Sequence, residues 1–509
     1  MKPRLGVLVG LLALVLAPAT SPEALPHEAS AQGAKTERQD FLERFARAYF
    51  PGRNGQIVVV PKQGHILTKR GPAQRYMHGS PWPYDSAVPF WFYGPRFVKQ
   101  GTFSDPVMLQ DMAPTLAELL GVPMPATCVG RSQSTILKAR TEPPRVIVLA
   151  VLDGMRPDYF DRHAAALPTL DRLRRQGAWF SNARVNYLPT ITSMGHTTVA
   201  TGADPRVHGI VANASFDWVA ARPADAYPSL SPRQLMALSL ADVWNIRTNG
   251  RAVIIGQGSV SRAAIPLAGH GGCVLNGRPV RAASYSTAGD GTWETNPKCY
   301  TMPDALKPFT ARRYWTEAGG TWMGHDVASP VKFRHSGLFE RFEGDALAAV
   351  LEAEPLGADD IPDLVLVNLK GPDYVGHAYG PASPEMREEM TELDRQLARA
   401  LQILERKAGA GGLVVAIAAD HGMPGEPHPG GRHYMDDIGK RIDARFSPGG
   451  GTVVQYFNDA ANNEIHLDTA KLRSLKVSLR DVAAFLEAEV PFAAVYTEDE
   501  VRAAQRRDH

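Results

Sequence analysis

The sequence predicts an α/β protein: a mainly parallel central sheet covered by helices, with an inserted cap region. Three observations carry this. First, the runs RVIVLAVLD, DLVLVNLKGPD and LVVAIAAD are apolar and β-rich, and each delivers an acid near its end: Asp153, Asp373 and Asp420. Continuous apolar runs fit strands buried on both faces, which requires a parallel sheet covered by helices. Second, amphipathic helical segments alternate with these runs. Third, the chain has 509 residues, 44% hydrophobic and 21% charged, an ordinary globular composition that accommodates one large domain with insertions.

The elements follow in chain order. MKPR and then LGVLVGLLALVLAPA read as a secretory signal over residues 1–31, with A-x-A patterns at Ala17–Ala19 and Ala29–Ala31. The apolar run is short for a membrane span, so an exported protein, periplasmic or secreted, is expected; a retained anchor is the alternative. Residues 20–39 are Pro-, Ala- and Glu-rich and are expected to be disordered. A helix is expected from Asp40, with Phe41, Leu42, Phe45 and Tyr49 near helical spacing. GQIVVVPK and VPFWFYG read as strands, and DMAPTLAELLG as a helix stopped by Gly121. A Pro/Thr/Arg linker spans 138–144.

Beyond Asp153, LPTLDRLRRQG is a helix ending at Gly177, and RAVIIGQG (251–258) is a further strand of the buried kind. The long helix after Ser383 has that residue as N-cap, Pro384 at its first position and acids in its first turn. Leu393, Leu397, Leu401 and Leu404 form its buried face. Residues of about 214–345 are richer in Gly, Pro and aromatics and are expected to cap the sheet. The expected organisation is thus a signal over 1–31, a segment over 40–138, and a catalytic core over 145–509.

The net charge is +2, from 55 basic and 53 acidic residues, which gives no basis for a nucleic-acid-binding face. The three cysteines lack zinc-site spacing. Cys273 and Cys299 flank one Gly-rich segment and are free to pair in an oxidising compartment, a geometry the spacing leaves open.

Ligands in open parallel sheets bind beyond the carboxyl ends of the strands, so three acids from distant parts of the chain are expected at one rim. Asp373 and His377, four apart, share a face if the segment is helical. Asp420 and His421 are adjacent at a strand end. Carboxylates and imidazoles without thiolates suit Zn²⁺, and less well Mn²⁺ or Mg²⁺. Each pair alone also fits a structural role, such as capping the next helix; three together at strand ends point to metal. In NYLPTITSMGHTTVATG, Thr192 stands at the start of a helix. Such a hydroxyl is usually a cap, but a bound Zn²⁺ can activate it as a nucleophile, and the helix N-terminus favours an anion.

LDGMRPD, PTITSMGHTTVATG, HGIVAN, KGPDYVGHAYG and ADHGM resemble the alkaline phosphatase superfamily, in particular its exported threonine-nucleophile phosphatases and its type I phosphodiesterase/nucleotide pyrophosphatases. The resemblance implies a three-layer α/β/α sandwich with two zinc ions. Asp153, Thr192, Asp420 and His421 would hold one, and Asp373, His377 and a third histidine the other. It also implies that Asn213 contacts the phosphoryl group. The segment that supplies the third histidine in the family resembles HGSPWPYDSAVPFWFYG followed by DMAPTLAELLG, which here precede Asp153. Joining the end of the chain to about residue 40 restores the usual order, so the chain reads as a circular permutation and His78 as the last ligand. His428 and His433 are rival candidates, and His196 and His208 are assigned structural roles.

One departure bears on the substrate. The family's lysine two positions before Arg262 is Val260 here. The resemblance implies a two-zinc phosphoric-ester hydrolase acting on small-molecule phosphate esters, a phosphomonoesterase working through a phosphothreonine. The alternatives are a phosphodiesterase or nucleotide pyrophosphatase with the same site, and a binding protein that has lost catalysis.

Overall fold

A strand with no polar alternate position must be covered on both sides, and the strands that end in acids obey this literally. The computed structural model describes residues 36–507 except 275 and 459–462; the signal segment lies outside the described residues. The strands of the two larger sheets include β1 (Ile57–Pro61), β2 (Phe90–Tyr93), β3 (Gly101–Phe103), β4 (Val146–Leu152), β5 (Ala178–Phe180), β6 (Ile254–Gly258), β7 (Val280–Ser286), β8 (Thr292–Glu294), β9 (Tyr300–Thr301), β10 (Asp363–Leu369) and β11 (Leu413–Ala418). Every residue of β4, β10 and β11 is buried.

The main sheet runs β8-β7-β6-β10-β4-β11-β2-β5-β3, with β9 paired to β7. From β7 to β11 all neighbours are parallel. β4 lies between β10 and β11, in registers that pair Leu152 with Leu369 and Val151 with Ala418. The three strand ends are therefore flush and adjacent. The predicted strand VPFWFYG is β2, and it joins the block antiparallel, beside β11. Strands β6 to β9 belong to this sheet, so the segment 214–345 is not separate from it along its whole length.

Two groups of helices cover the sheet. One comprises Met112–Leu120, Thr192–Thr201, Leu240–Thr248 and Ser261–Ala268; the other comprises Pro168–Gln176, Gly337–Ala353, Gly371–Tyr379 and Pro384–Ala408. In the last of these, the Ser383 side chain accepts from Met386 N, as its N-cap position requires. Gly121 ends Met112–Leu120 in a left-handed conformation.

A second, antiparallel sheet has the order β12-β13-β1-β14, where β12 is Val454–Tyr456, β13 Glu464–Leu467 and β14 Phe492–Thr497. The first described strand lies inside a sheet otherwise built from the last 60 or so residues. Alternation along β1 explains its fit: Ile57 and Val59 enter a core with Ile442, Val482 and Leu486, while Val58 and Val60 enter another with Phe41, Phe45 and Tyr496. The helix expected from Asp40 begins at Glu37, so residues 37–39 of the stretch expected to be disordered are helical. It meets the final helix, Glu498–Arg507: the Tyr49 hydroxyl donates to Glu498 at 2.6 Å, and Gln505 Nε2 donates to the Tyr49 carbonyl at 2.8 Å.

Cys273 and Cys299 are joined in a disulfide, with Cα atoms 4.9 Å apart. Among the described residues no helix is long and apolar enough to cross a membrane.

Candidate active site

Two glycines let the acids converge. A Cβ on Gly195, inside Thr192–Thr201, would lie 2.4 Å from Asp420 Cβ, so that helix approaches the end of β11 only without a side chain there. Gly154, at φ +69°, turns the chain after Asp153 with no room for a side chain against Asp373 Cα at 3.0 Å. Asp153, Asp373, Asp420, His421, Thr192 and His78 are all buried. Three sets of ligating atoms cluster: His78, Asp373 and His377; Asp153, Asp373 and His421; and Asp153, His196 and Asp420. His78 thus lies beside Asp373 and His377, across nearly 300 residues of chain. His433 instead meets His65, Nε2 to Nδ1 at 2.9 Å, away from the carboxylates.

The imidazoles are held in one tautomer. His78 Nδ1 donates to the Thr190 carbonyl at 2.8 Å, His377 Nδ1 to Tyr76 at 2.6 Å, and His421 Nδ1 to Gly422 at 2.9 Å. Each Nε2 is left with a lone pair, the arrangement a metal-ligating histidine requires. His78 Nε2 and His377 Nε2 lie 3.4 and 3.2 Å from Asp373 Oδ1, and His421 Nε2 lies 3.2 Å from Asp420 Oδ2 and 3.5 Å from Asp153 Oδ1. His196 is different. Its Nδ1 donates to the Thr192 carbonyl at 3.0 Å and its Nε2 accepts from Asn368 Nδ2 at 2.9 Å, so both nitrogens are spent. That favours a positioning role despite its place among the carboxylates.

The carboxylates complete the pattern. Asp153 Oδ1, Asp373 Oδ1 and Asp420 Oδ2 are buried without a hydrogen-bond partner, and they are the atoms the histidine lone pairs face. Buried charged oxygens without partners are costly unless a cation meets them. The residues therefore fit divalent ions.

The electrostatics agree. Burial alone would raise the Asp373 carboxyl; its interactions with His377 and the Lys370 ammonium outweigh it and hold the group well below the usual carboxylate range. Burial pushes the His421 imidazole down to about 3, so the ring is neutral. Burial opposes protonation of His78 as well, but the Asp373 carboxylate outweighs it and draws that ring upward.

The Thr192 hydroxyl stands at the N-terminus of Thr192–Thr201, 3.4 Å from His421 Nε2. Asn213 Oδ1 accepts from Ser193 N at 3.0 Å, which leaves its Nδ2 to donate elsewhere. A cavity of about 300 Å³ brings Thr192, Asn213 and Arg262 together with His78, Asp373 and His377. A larger one, about 690 Å³, lies around Arg145 and Lys407 and contains none of these residues; chemistry, not size, selects the site.

Three residues that sequence reasoning left without a role are also here. Lys370 is fully buried, with Nζ 2.9 Å from Asp153 Oδ2 and 2.7 Å from Asp373 Oδ2. Arg334 and His335 line the cavity, and burial pushes His335 down to about 3. KGPD carried a faint signal for Lys370, three residues before a ligand candidate; RHSG carried none.

Comparison with known proteins follows the same lines. The family model for type I phosphodiesterase / nucleotide pyrophosphatase matches residues 146–509. The chain belongs to that family. This phosphodiesterase-family chain is accordingly a phosphoric-ester hydrolase of the alkaline phosphatase superfamily. It is 26% identical over 430 residues to alkaline phosphatase PafA of Elizabethkingia meningoseptica, covering 73% of this chain and 77% of the relative. It is 26% identical over 405 residues to alkaline phosphatase PhoV of Synechococcus elongatus, covering 68% and 71%. Human ectonucleotide pyrophosphatase/phosphodiesterase family member 1 is 23% identical over 283 residues, 54% of this chain and 23% of that protein. The crystal structure of wild-type PafA superposes with a TM-score of 0.57 over 69% of this chain and 77% of that one, at 22% identity, a likeness of fold.

Proposed function

We propose that this hydrolase is a phosphomonoesterase of the alkaline phosphatase type, acting on small-molecule phosphate esters through a covalent phosphothreonine at Thr192. The observation that carries the reading is the Thr192 hydroxyl, at a helix N-terminus and within 3.4 Å of an imidazole whose other nitrogen is anchored to backbone. Thr192 Oγ attacks phosphorus in line, the P–O bond to the leaving alcohol breaks, and water then cleaves the phosphothreonine to phosphate and free threonine. Asn213 Nδ2 and the Arg262 guanidinium stabilise the equatorial oxygens, and the N-terminus of Thr192–Thr201 adds its dipole.

Asp373, His377 and His78 would hold one zinc ion, and Asp153, Asp420, His421 and Thr192 another. When bound, the ions would offset the ester's negative charge and acidify the hydroxyl and the water. The disulfide between Cys273 and Cys299 supports an oxidising, exported location, periplasmic or secreted.

A phosphodiesterase or nucleotide pyrophosphatase reading is favoured by one observation. Val260, two residues before Arg262, is apolar and packs against the main core, so that position supplies no cation for a dianion. Steady-state rates on an aryl phosphate monoester and on a bis-aryl phosphate diester separate the two. We expect higher kcat/KM on the monoester, and near-complete loss of both rates in Thr192→Ala with bound metal retained. A higher value on the diester would favour the alternative, and a fully active Thr192→Ala would remove the nucleophile.

We also read the chain as a circular permutation, with 40–138 as the segment moved to the front of a core over 145–509 and capped by parts of 214–345. Three features support this. The family match begins at residue 146, the unmatched part supplies His78, and the first and last helices lie against each other. Neighbouring termini at the surface are what makes such a rearrangement tolerable.

A further inference from the structure

We propose that Lys370 is a further catalytic residue, whose ammonium supplies the transferred phosphoryl group with the second positive charge that Val260 does not. The proposal rests on the hydrolase reading above and deepens it, since it makes a dianionic monoester the preferred substrate.

The geometry is specific. An ammonium has three donors. Two of them meet Asp153 Oδ2 and Asp373 Oδ2, at 2.9 and 2.7 Å. The third direction leads to Thr192 Oγ1, at 3.4 Å. The phosphorus attacked by that oxygen carries its equatorial oxygens one bond further on, within reach of the same ammonium.

Lys370 does not take the place of the metal ions. It holds the Oδ2 atoms of the two aspartates, whereas their Oδ1 atoms, facing the histidine lone pairs, are left without partners. Each carboxylate thus gives one oxygen to the lysine and would have the other for an ion.

The side chain is also fixed in advance. It is fully buried and stands over the Tyr374 ring at 5.3 Å. Its backbone N donates to Glu343 at 3.3 Å, and that of Gly371 to Glu340 at 3.2 Å, so the start of Gly371–Tyr379 is pinned. A charge held rigidly in a dry site stabilises developing charge without reorganisation at the moment of reaction. A monoester has one more negative charge to neutralise than a diester, so the effect must be unequal between the two.

Lys370→Met in the full-length, metal-loaded chain tests this. Metal per chain is measured by mass spectrometry, and kcat/KM is measured for an aryl phosphate monoester and for a methyl aryl phosphate diester. The proposal predicts unchanged metal content, a loss of about 100- to 1,000-fold on the monoester, and a loss at least tenfold smaller on the diester. Equal losses on both esters, no loss on either, or loss of the ions would make Lys370 a structural counter-charge and overturn it. If the variant does not fold, a structure of the wild-type chain with orthovanadate decides. Nζ within about 3.2 Å of an equatorial vanadate oxygen supports the proposal, and Nζ turned away from vanadate overturns it. A wild-type chain that cleaves neither ester would sink the hydrolase reading itself, a result distinct from an active chain whose substrate ratio Lys370→Met leaves unchanged.

Discussion

His78, His377 and His421 show how little freedom the chemistry leaves a side chain. Each anchors Nδ1 on a backbone carbonyl and so presents Nε2, while His196 spends both nitrogens and presents none. The strand-end acids were legible in the sequence because a strand buried on both faces can release a carboxylate only at the rim of its sheet. Lys370 was hidden, because a lysine between a strand and a helix normally points to water; only the fold shows that it is enclosed. His208 gives a test at this scale. Burial pushes its imidazole down to about 3 from an ordinary 6.5. With the folded value depressed, the neutral ring's contribution is present above the unfolded value and is lost as pH falls from about 6.5 toward 3, because the unfolded chain takes up the proton first. The stability advantage of the wild type over His208→Gln, from denaturant unfolding, should therefore shrink by about 1.4 kcal/mol per pH unit below 6.5. A difference that stays constant from neutral pH to about pH 5 would contradict the buried neutral ring.

At the scale of elements, the site depends on three parallel strands ending together and on helices that approach their ends closely. Apolar runs and helix stops were readable, since burial on both faces and left-handed glycines leave local marks. RAVIIGQG was readable as a further buried strand, and it is β6; the antiparallel placement of β2 and the membership of β7 to β9 in the main sheet were not, because pairing partners are set by long-range packing rather than by local pattern. Gly195 shows an element-level constraint with a direct test. A methyl group there meets Asp420 Cβ and backbone, which cannot yield as a flexible side chain would. Gly195→Ala should cost about 1–3 kcal/mol and loosen metal binding at Asp420 and His421. Thermal unfolding and metal titration would show it, and an unchanged melting temperature with full metal affinity would mean that the helix does not need this approach.

At the scale of the molecule, a segment far from the acids in sequence completes their site. The first described helix and β1 are built into a sheet formed by the end of the chain, and the residues between β1 and β4 bring His78 to Asp373. Chain order made the site hard to read, since His428 and His433 are nearer to Asp420 in sequence than His78 is. The motif around His78, rather than its position, marked it. The central claim is that the two parts of the chain jointly build one site for two ions, and it is tested most directly by counting metal. Purified wild-type chain loaded with zinc should hold two ions, His433→Ala should still hold two, and His78→Ala should fall toward one. Two ions in His78→Ala together with a loss in His433→Ala would contradict the account.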